Sequence, residues 1–532
     1  MKSRIASLFL GLVLLAACGS TTSGVRSRGG GPIATAAGST TRPRTTVANT
    51  RDTAPGTDPV TAGGTTPATT ARPADTGAPA TATGQPTDTI ASVPPVFDFG
   101  TGKTPQQYDK KLQIEVDDIQ AFWTNEFPKV FSKAYIPLKG KIFAGFPGRT
   151  DIPGCGRQLS VYEKDLKDNA FYCSEGDFLA YDDADLFPVL SKRLGALSLG
   201  IVLAHEWGHA IQARAGVPNN TATIKLEQQA DCYAGAWSAH LARGENKDLP
   251  FADDEIKNAL LALILVKDPA GSNPAAPGAH GSAFDRVGAF QDGFTSGTKK
   301  CSTYIDKFPG VLELPGDASF QVNGGNAPLD DPDKPALPDP NDKNKQVGIY
   351  GLLISDLPTF WTAQLTANGV AFTAPKVAGY DDKGPFPTCS TTKEFAGKPY
   401  VFCPDNNTLF FNRTIGAKFY NQFGDFAIGY LLSNGYGEAV QTTLKSPLAK
   451  VKRALLDDCL TGAYAANAAP LGPSTTVNIQ AGDLDEAVQT AVSIGDNKST
   501  DNNIGTGFQK IAAFRTGVLG GLTACNKQIA AG

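Results

Sequence analysis

The chain has 532 residues, 48 basic and 52 acidic side chains, a formal net charge of −4, and 41% apolar residues. That length allows about three domains. The near balance of charge, with no basic stripe and no aromatic platform, excludes an ordinary nucleic-acid-binding surface.

Met1 to Cys18 carries Lys2 and Arg4, an apolar run from Ile5 to Leu15, and then Leu15-Ala16-Ala17-Cys18. The run is too short to span a bilayer as a mature helix, and no other stretch of the chain is long and apolar enough. Residues 1–18 resemble a bacterial lipoprotein signal peptide. The resemblance implies cleavage before Cys18, lipidation of that thiol, and a product exported and lipid-anchored on the outer face of the cell membrane. Residues 19–103 are rich in Thr, Ala, Pro and Gly, with almost no large apolar side chains until their end. Such a segment cannot bury enough surface to offset its ordering entropy, so it reads as a disordered tether. Its Ser/Thr/Pro content also permits O-glycosylation.

An amphipathic helix is expected around Phe122-Trp123-Thr124, and a short cysteine-bounded strand or hairpin between Phe171 and Tyr181. Next comes His205-Glu206-Trp207-Gly208-His209. Leu197, Leu199, Ile201, Val202 and Leu203 before it, Ala210, Ile211 and Ala213 after it, and the stop Gly216-Val217-Pro218 place it on a buried helix. Positions i and i+4 lie one turn apart on one face, so both imidazoles can reach a single metal ion. Zinc with three protein ligands keeps one position for water and lowers that water's pKa toward about 7, and Glu206 stands beside it to take the proton.

A third ligand is required, and Glu227 is the best candidate, in a second helix that ends near Gly244. Asp231 follows one turn later on the same face, where a carboxylate can accept a hydrogen bond from a ligating histidine and fix its tautomer. His240 has no comparable context and reads as a helix-surface residue.

Taken together, HEWGH followed by Glu227-Gln228-Gln229-Ala230-Asp231-Cys232-Tyr233 resembles the neutral zinc metallopeptidase family, with HExxH and a downstream ExxxD. Asn169 to Asp177 and His280 to Val287 extend the resemblance, which spans roughly residues 155–294. It implies a zincin-like domain in which His205, His209 and Glu227 bind zinc, Glu206 is the catalytic base and Asp231 supports a ligand. It also implies a site role of unassigned kind for His280, for which capping or packing is the alternative. Gln228 departs from the apolar residue usual in the family.

Several elements recur in order. Asp118 to Thr124 returns as Asp356 to Thr362, Ala170 to Cys173 near Tyr400 to Cys403, Asp231 to Trp237 near Asp458 to Tyr464, and Cys301 answers Cys525. The offsets of 238, 230, 227 and 224 residues fall steadily, as small deletions would produce. The chain therefore reads as two copies of one domain, residues 104–303 and 346–532, joined by a Pro/Asp-rich linker at 304–345. Nine cysteines less Cys18 leave eight in an oxidising compartment. The simplest pairing is within copies: Cys155 with Cys173, Cys232 with Cys301, Cys389 with Cys403, and Cys459 with Cys525. Cys232 as a zinc ligand is the competing reading, disfavoured because Cys459 persists in a copy that has lost the other ligands.

Aligning Gly200 to Gln212 with Gly429 to Gln441 puts Asn434, Gly435 and Glu438 where His205, Glu206 and His209 stand. Ala454 answers Glu227, and Ile504 answers His280. One zinc per chain, in the first copy, is therefore expected. The fold class is mainly α with a small β element, an α+β zincin-like domain in tandem. The expected function is a membrane-anchored, extracytoplasmic zinc peptidase acting on protein or peptide substrates, with His280, Tyr233 and Arg286 as candidate oxyanion donors. The alternative is a zinc-containing surface scaffold lipoprotein whose second copy binds a protein partner.

Overall fold

The computed structural model describes residues 95–530, apart from 157, 270, 271, 274, 277, 278, 313, 315–326, 340, 343, 344, 481 and 497–502. The expected signal peptide, the lipidation site Cys18, the tether as far as residue 94 and much of the linker lie outside the described residues.

Helix α1 (Asp109–Phe131) buries Leu112, Val116, Ile119, Trp123 and Phe127, a helical repeat along one face that fixes how it meets the core. After it come β2 (Ile142–Gly145), β3 (Ala170–Cys173), β4 (Phe178–Asp182), α2 (Leu186–Leu194), α3 (Leu197–Ala215), α4 (Thr223–Ala242), α5 (Asp253–Leu265) and α6 (Ala283–Ser302). With the short β1 (Phe97–Asp98), the strands form a sheet in the order β1-β2-β4-β3. Strands β1, β2 and β4 are parallel, and β3 is antiparallel to β4 on the edge. The expected hairpin is β3 and β4. The parallel partner β2 has no counterpart among the expected elements, because Ile142 pairs with Leu179, far away in sequence.

The second half repeats this order. It contains α7 (Ile349–Ala367), β5 (Lys376–Tyr380), β6 (Tyr400–Cys403), β7 (Thr408–Asn412), α8 (Arg413–Phe423), α9 (Asp425–Thr443), α10 (Lys450–Ala465), α11 (Asp483–Ile494) and α12 (Gly507–Ala530). Its sheet runs β5-β7-β6, with β5 parallel and β6 antiparallel to β7. Helices outweigh strands in both halves, and the class is α+β. Among the described residues no helix is long and apolar enough to cross a membrane.

Matching ties hold matching elements. Trp237 Nε1 donates to Asp118 (2.7 Å), and the Tyr464 hydroxyl donates to Asp356 (2.9 Å), each joining the fourth-ranked helix of its half to the first. Disulfides join Cys155 to Cys173, Cys232 to Cys301, Cys389 to Cys403 and Cys459 to Cys525, the pairs within each half that the sequence suggests. Helices α4 and α6 approach so closely that a β-carbon on Gly235 would lie 2.0 Å from the Phe290 carbonyl oxygen; Gly462 meets Phe514 in the same way in the second half. His240 is not a free surface residue: its ring packs on Phe122, and Nε2 lies 3.3 Å from Asp118.

One apolar core runs through both halves. Where they meet, Phe294 packs on Phe508 and Phe284 on Phe514, the Gln291 amide donates to the Phe508 carbonyl, and the Arg515 guanidinium lies 4.1 Å from the Phe284 ring centre.

Candidate metal centre

Helix α3 is buried along nearly its whole length, and Gly208 lets it press against α4: a β-carbon there would lie 2.8 Å from Ala230 Cα. This contact brings the second turn of the HEWGH motif against the first turns of α4. His205 and His209 present their rings at 87° with centres 5.0 Å apart. Glu227 Oε2 lies 3.1 Å from His205 Nε2, and its Oε1 lies 3.5 Å from His209 Nε2. All three side chains are buried.

The other ring nitrogen of each histidine is already engaged. His205 Nδ1 lies 2.7 Å from Asp231 Oδ1, and His209 Nδ1 lies 2.9 Å from Gln212 Oε1. An acceptor on Nδ1 keeps a proton there and makes Nε2 the nitrogen that would lose its proton to bind a metal. Each acceptor is itself held. Arg286 donates to both oxygens of Asp231 (2.9 and 2.8 Å), and the Gln212 amide donates to the Leu226 carbonyl (2.7 Å), turning its oxygen toward His209.

The donor set fits a zinc ion. His209 Nε2 is buried with no hydrogen-bond partner, and the three donor atoms lie within 4.8 Å of one another. Spacings of 3.1 and 3.5 Å match two corners of a tetrahedron with bonds of about 2.0–2.1 Å. Burial works to lower the His205 pKa, but the Asp231 and Glu227 carboxylates outweigh it and push it up to about 10. Burial likewise works to raise Glu227, yet the two imidazoles hold its carboxyl well below the usual range.

Glu206 faces a cavity of about 340 Å³ that His205 also lines. Burial pushes its carboxyl up, and its Oε2 accepts the Tyr172 backbone N–H of β3 (3.0 Å). The cavity opens between the edge strand β3, whose Ala170 lines it, and an apolar wall from Ile201, Val202 and Leu263.

His280 lines the same cavity, with its Nδ1 3.2 Å from Asp268 and its backbone N–H donating to that carboxylate. The other candidate oxyanion donors are placed elsewhere or occupied. Tyr233 is buried edge-on against Trp123 and does not line the cavity, and the Arg286 guanidinium is committed to Asp231 and the Val266 carbonyl. Gln212 and Asp268 were not singled out from the sequence. Gln212 carries the one signal that could have found it, since it lies one turn after His209.

The second half keeps this framework without the donors. Lys510 donates to Asp458 (2.8 Å) as Arg286 does to Asp231, and Gln441 donates to the Arg453 carbonyl (2.8 Å) as Gln212 does to that of Leu226. Asn434, which aligns with His205 in the sequence, donates to Thr461 and the Tyr430 carbonyl, while Glu438, which aligns with His209, pairs with Arg453. At Gly435, which aligns with Glu206, a β-carbon would lie 2.5 Å from Leu409 Cδ1, so Leu409 would have to shift to admit a side chain.

Two histidines and a carboxylate on packed helices, with a second glutamate at the mouth of a cavity, form the donor set of a hydrolytic zinc site. Residues 100–304 match the family model described as "Putative neutral zinc metallopeptidase". A family of that description implies a zinc cofactor and a protein or peptide substrate. Among similar curated proteins are the uncharacterized protein Rv2575 of Mycobacterium tuberculosis and Mb2605 of Mycobacterium bovis. Each is 29% identical over 250 residues, covering 41% of this chain and 80% of the relative. The uncharacterized protein YpfJ of Escherichia coli is 29% identical over 206 residues, covering 34% of this chain and 66% of the relative. No solved structure matches the chain.

Proposed function

We propose that the first half is a zinc-dependent peptidase, with one ion held by His205, His209 and Glu227, and that it hydrolyses an extended peptide lying along the open edge of β3. The observation that carries this reading is the convergence of three donor atoms, one of them from His205, which lines the same cavity as Glu206. Zinc bound there supplies Lewis acidity and makes the attacking water acidic near neutral pH. Glu206 takes the proton of that water. The Tyr172 N–H holds one carboxylate oxygen and leaves the other to take the proton. His280, oriented by Asp268, donates a hydrogen bond to the oxygen that gains charge as the scissile carbonyl is attacked. Arg286, through Asp231, holds the ring of His205 in place.

The same reading makes the second half a duplicated domain that has lost its donors and carries no catalytic zinc. Cys18 anchors the chain by lipid to the outer face of the cell membrane. The loss of donors at Asn434, Gly435 and Glu438 also favours a second use, in which this half presents substrate or binds a protein partner.

Glu206→Gln in the full chain is the test. Hydrolysis should fall by at least about 100-fold, the lower range for a positioned acid–base group, with zinc content unchanged. Wild-type turnover in that variant rejects Glu206 as the base, and a wild type that cleaves nothing across a broad peptide library favours the scaffold.

A further inference from the structure

The wall of the cavity is not built by the first half alone. Lys267, just beyond α5, lines the cavity together with His205, Glu206 and His280. Its ammonium group lies 3.1 Å from Asp485 Oδ2, on the first turn of α11 in the second half. The other oxygen, Asp485 Oδ1, accepts the Phe284 backbone N–H at 3.0 Å. Phe284 is the second residue of α6, so its N–H is one of the donors that a helix start leaves without an internal partner. Two residues later on that helix, Arg286 reaches the carboxylate that holds His205. Arg515, also from the second half, stacks on the Phe284 ring and donates to the Phe284 carbonyl. Asp485 is almost wholly buried, so this contact is a built part of the interface.

We infer that Asp485 is a positioning and specificity-setting residue for the cavity of the other half: it neutralises Lys267 in the cavity wall and fixes the start of the helix that carries Arg286. The inference rests on the cavity being the substrate site. With Lys267 paired to Asp485 and Arg286 to Asp231, the wall presents Ile201, Val202, Leu263 and Val266 beside the Asp168 carboxylate, and the side chain it favours is apolar rather than acidic. Unpairing Lys267 places a positive charge in a poorly solvated wall, where it attracts an acidic side chain and opposes a zinc ion bound in the same cavity.

The test uses the full chain in four forms: wild type, Asp485→Asn, Asp485→Asn with Lys267→Met, and Gln291→Ala. Gln291 ties the same interface through Phe508 but does not line the cavity. Zinc affinity is measured by competition with a chromophoric chelator, and specificity as the ratio of kcat/KM for peptide pairs carrying Leu or Glu beside the scissile bond.

Asp485→Asn should weaken zinc binding about fivefold, less than the 10–100-fold carried by groups that touch the ligands. It should also shift preference about tenfold toward Glu, as an unpaired charge in a low-dielectric wall requires. Lys267→Met in that background should restore the preference for Leu, and Gln291→Ala should lower Tm and change neither quantity. A folded Asp485→Asn protein with wild-type preference overturns the inference. If the wild type cleaves no peptide, the peptidase reading fails on its own, and zinc affinity decides the role of Asp485: an unchanged value overturns it, and a fall absent from Gln291→Ala supports it.

Discussion

His205 and His209 offer the same ring nitrogen to the metal but are held by different groups, a carboxylate in one case and an amide in the other. The amide tie is the more informative. Gln441 repeats the bond from Gln212 to the next helix, although no histidine stands beside it. The bond to the carbonyl therefore belongs to the fold, and the bond to His209 belongs to the site. Gln212→Leu should weaken zinc binding by about 10–100-fold, the usual cost of removing a group that orients a ligand; chelator competition checks this, and undiminished affinity removes Gln212 from the site. Gly435 makes the converse point. Gly435→Glu should lower stability by about 1–3 kcal/mol, the range for overpacking a core, because Leu409 occupies the space. Denaturant titration reads the difference, and a neutral result would show that Leu409 moves aside freely.

At the scale of elements, α3 and its HEWGH motif were legible in the sequence because the evidence for them is local: the helical spacing of two histidines, an apolar flank and a Gly-Val-Pro stop. The hairpins and the four cysteine pairs were legible because they recur at matching places in both halves. Strands β1, β2 and β5 were not. Each is five residues or fewer, and their partners lie far along the chain, so no periodicity marks them. The role of Arg286 was hidden for a related reason: only the close approach of α4 and α6 shows that its guanidinium is spent on Asp231. That approach depends on Gly235. Gly235→Ala should separate the two helices and cost about 2 kcal/mol or more, within the overpacking range, with a parallel loss of zinc affinity as Arg286 withdraws. Thermal unfolding and chelator competition together check it, and a variant stable and tight-binding as wild type would argue against rigid helix contact as the basis of the site.

The whole molecule is held by a core shared between the halves, and the second half contains a group of carboxyls whose charge state should govern its stability. Burial pushes Asp425 up to about 6. Burial, followed by repulsion from their neighbours, raises Asp483 and Glu486 well above their usual values. The folded state therefore keeps protons that the unfolded chain releases near pH 4. The part of the stability that depends on these three carboxyls is greatest below that value and declines as the pH rises through 6 and above. Glu486→Gln keeps an acceptor for the Phe426 N–H while removing the charge. Its stability relative to wild type should grow between pH 5 and pH 8 in denaturant titrations, whereas a gap that stays constant or narrows contradicts the raised proton affinity.

The shared core also predicts that a chain cut after residue 345 leaves the apolar faces of α5 and α6 uncovered and fails to reach a soluble folded state. A soluble, zinc-loaded and fully active fragment would show that the second half is dispensable.

A single zinc site made by the first half is tested by metal analysis of the purified chain beside His209→Ala. Close to one zinc per chain is expected in the wild type and almost none in the variant. Two zinc ions per chain, or one that persists without His209, would contradict it.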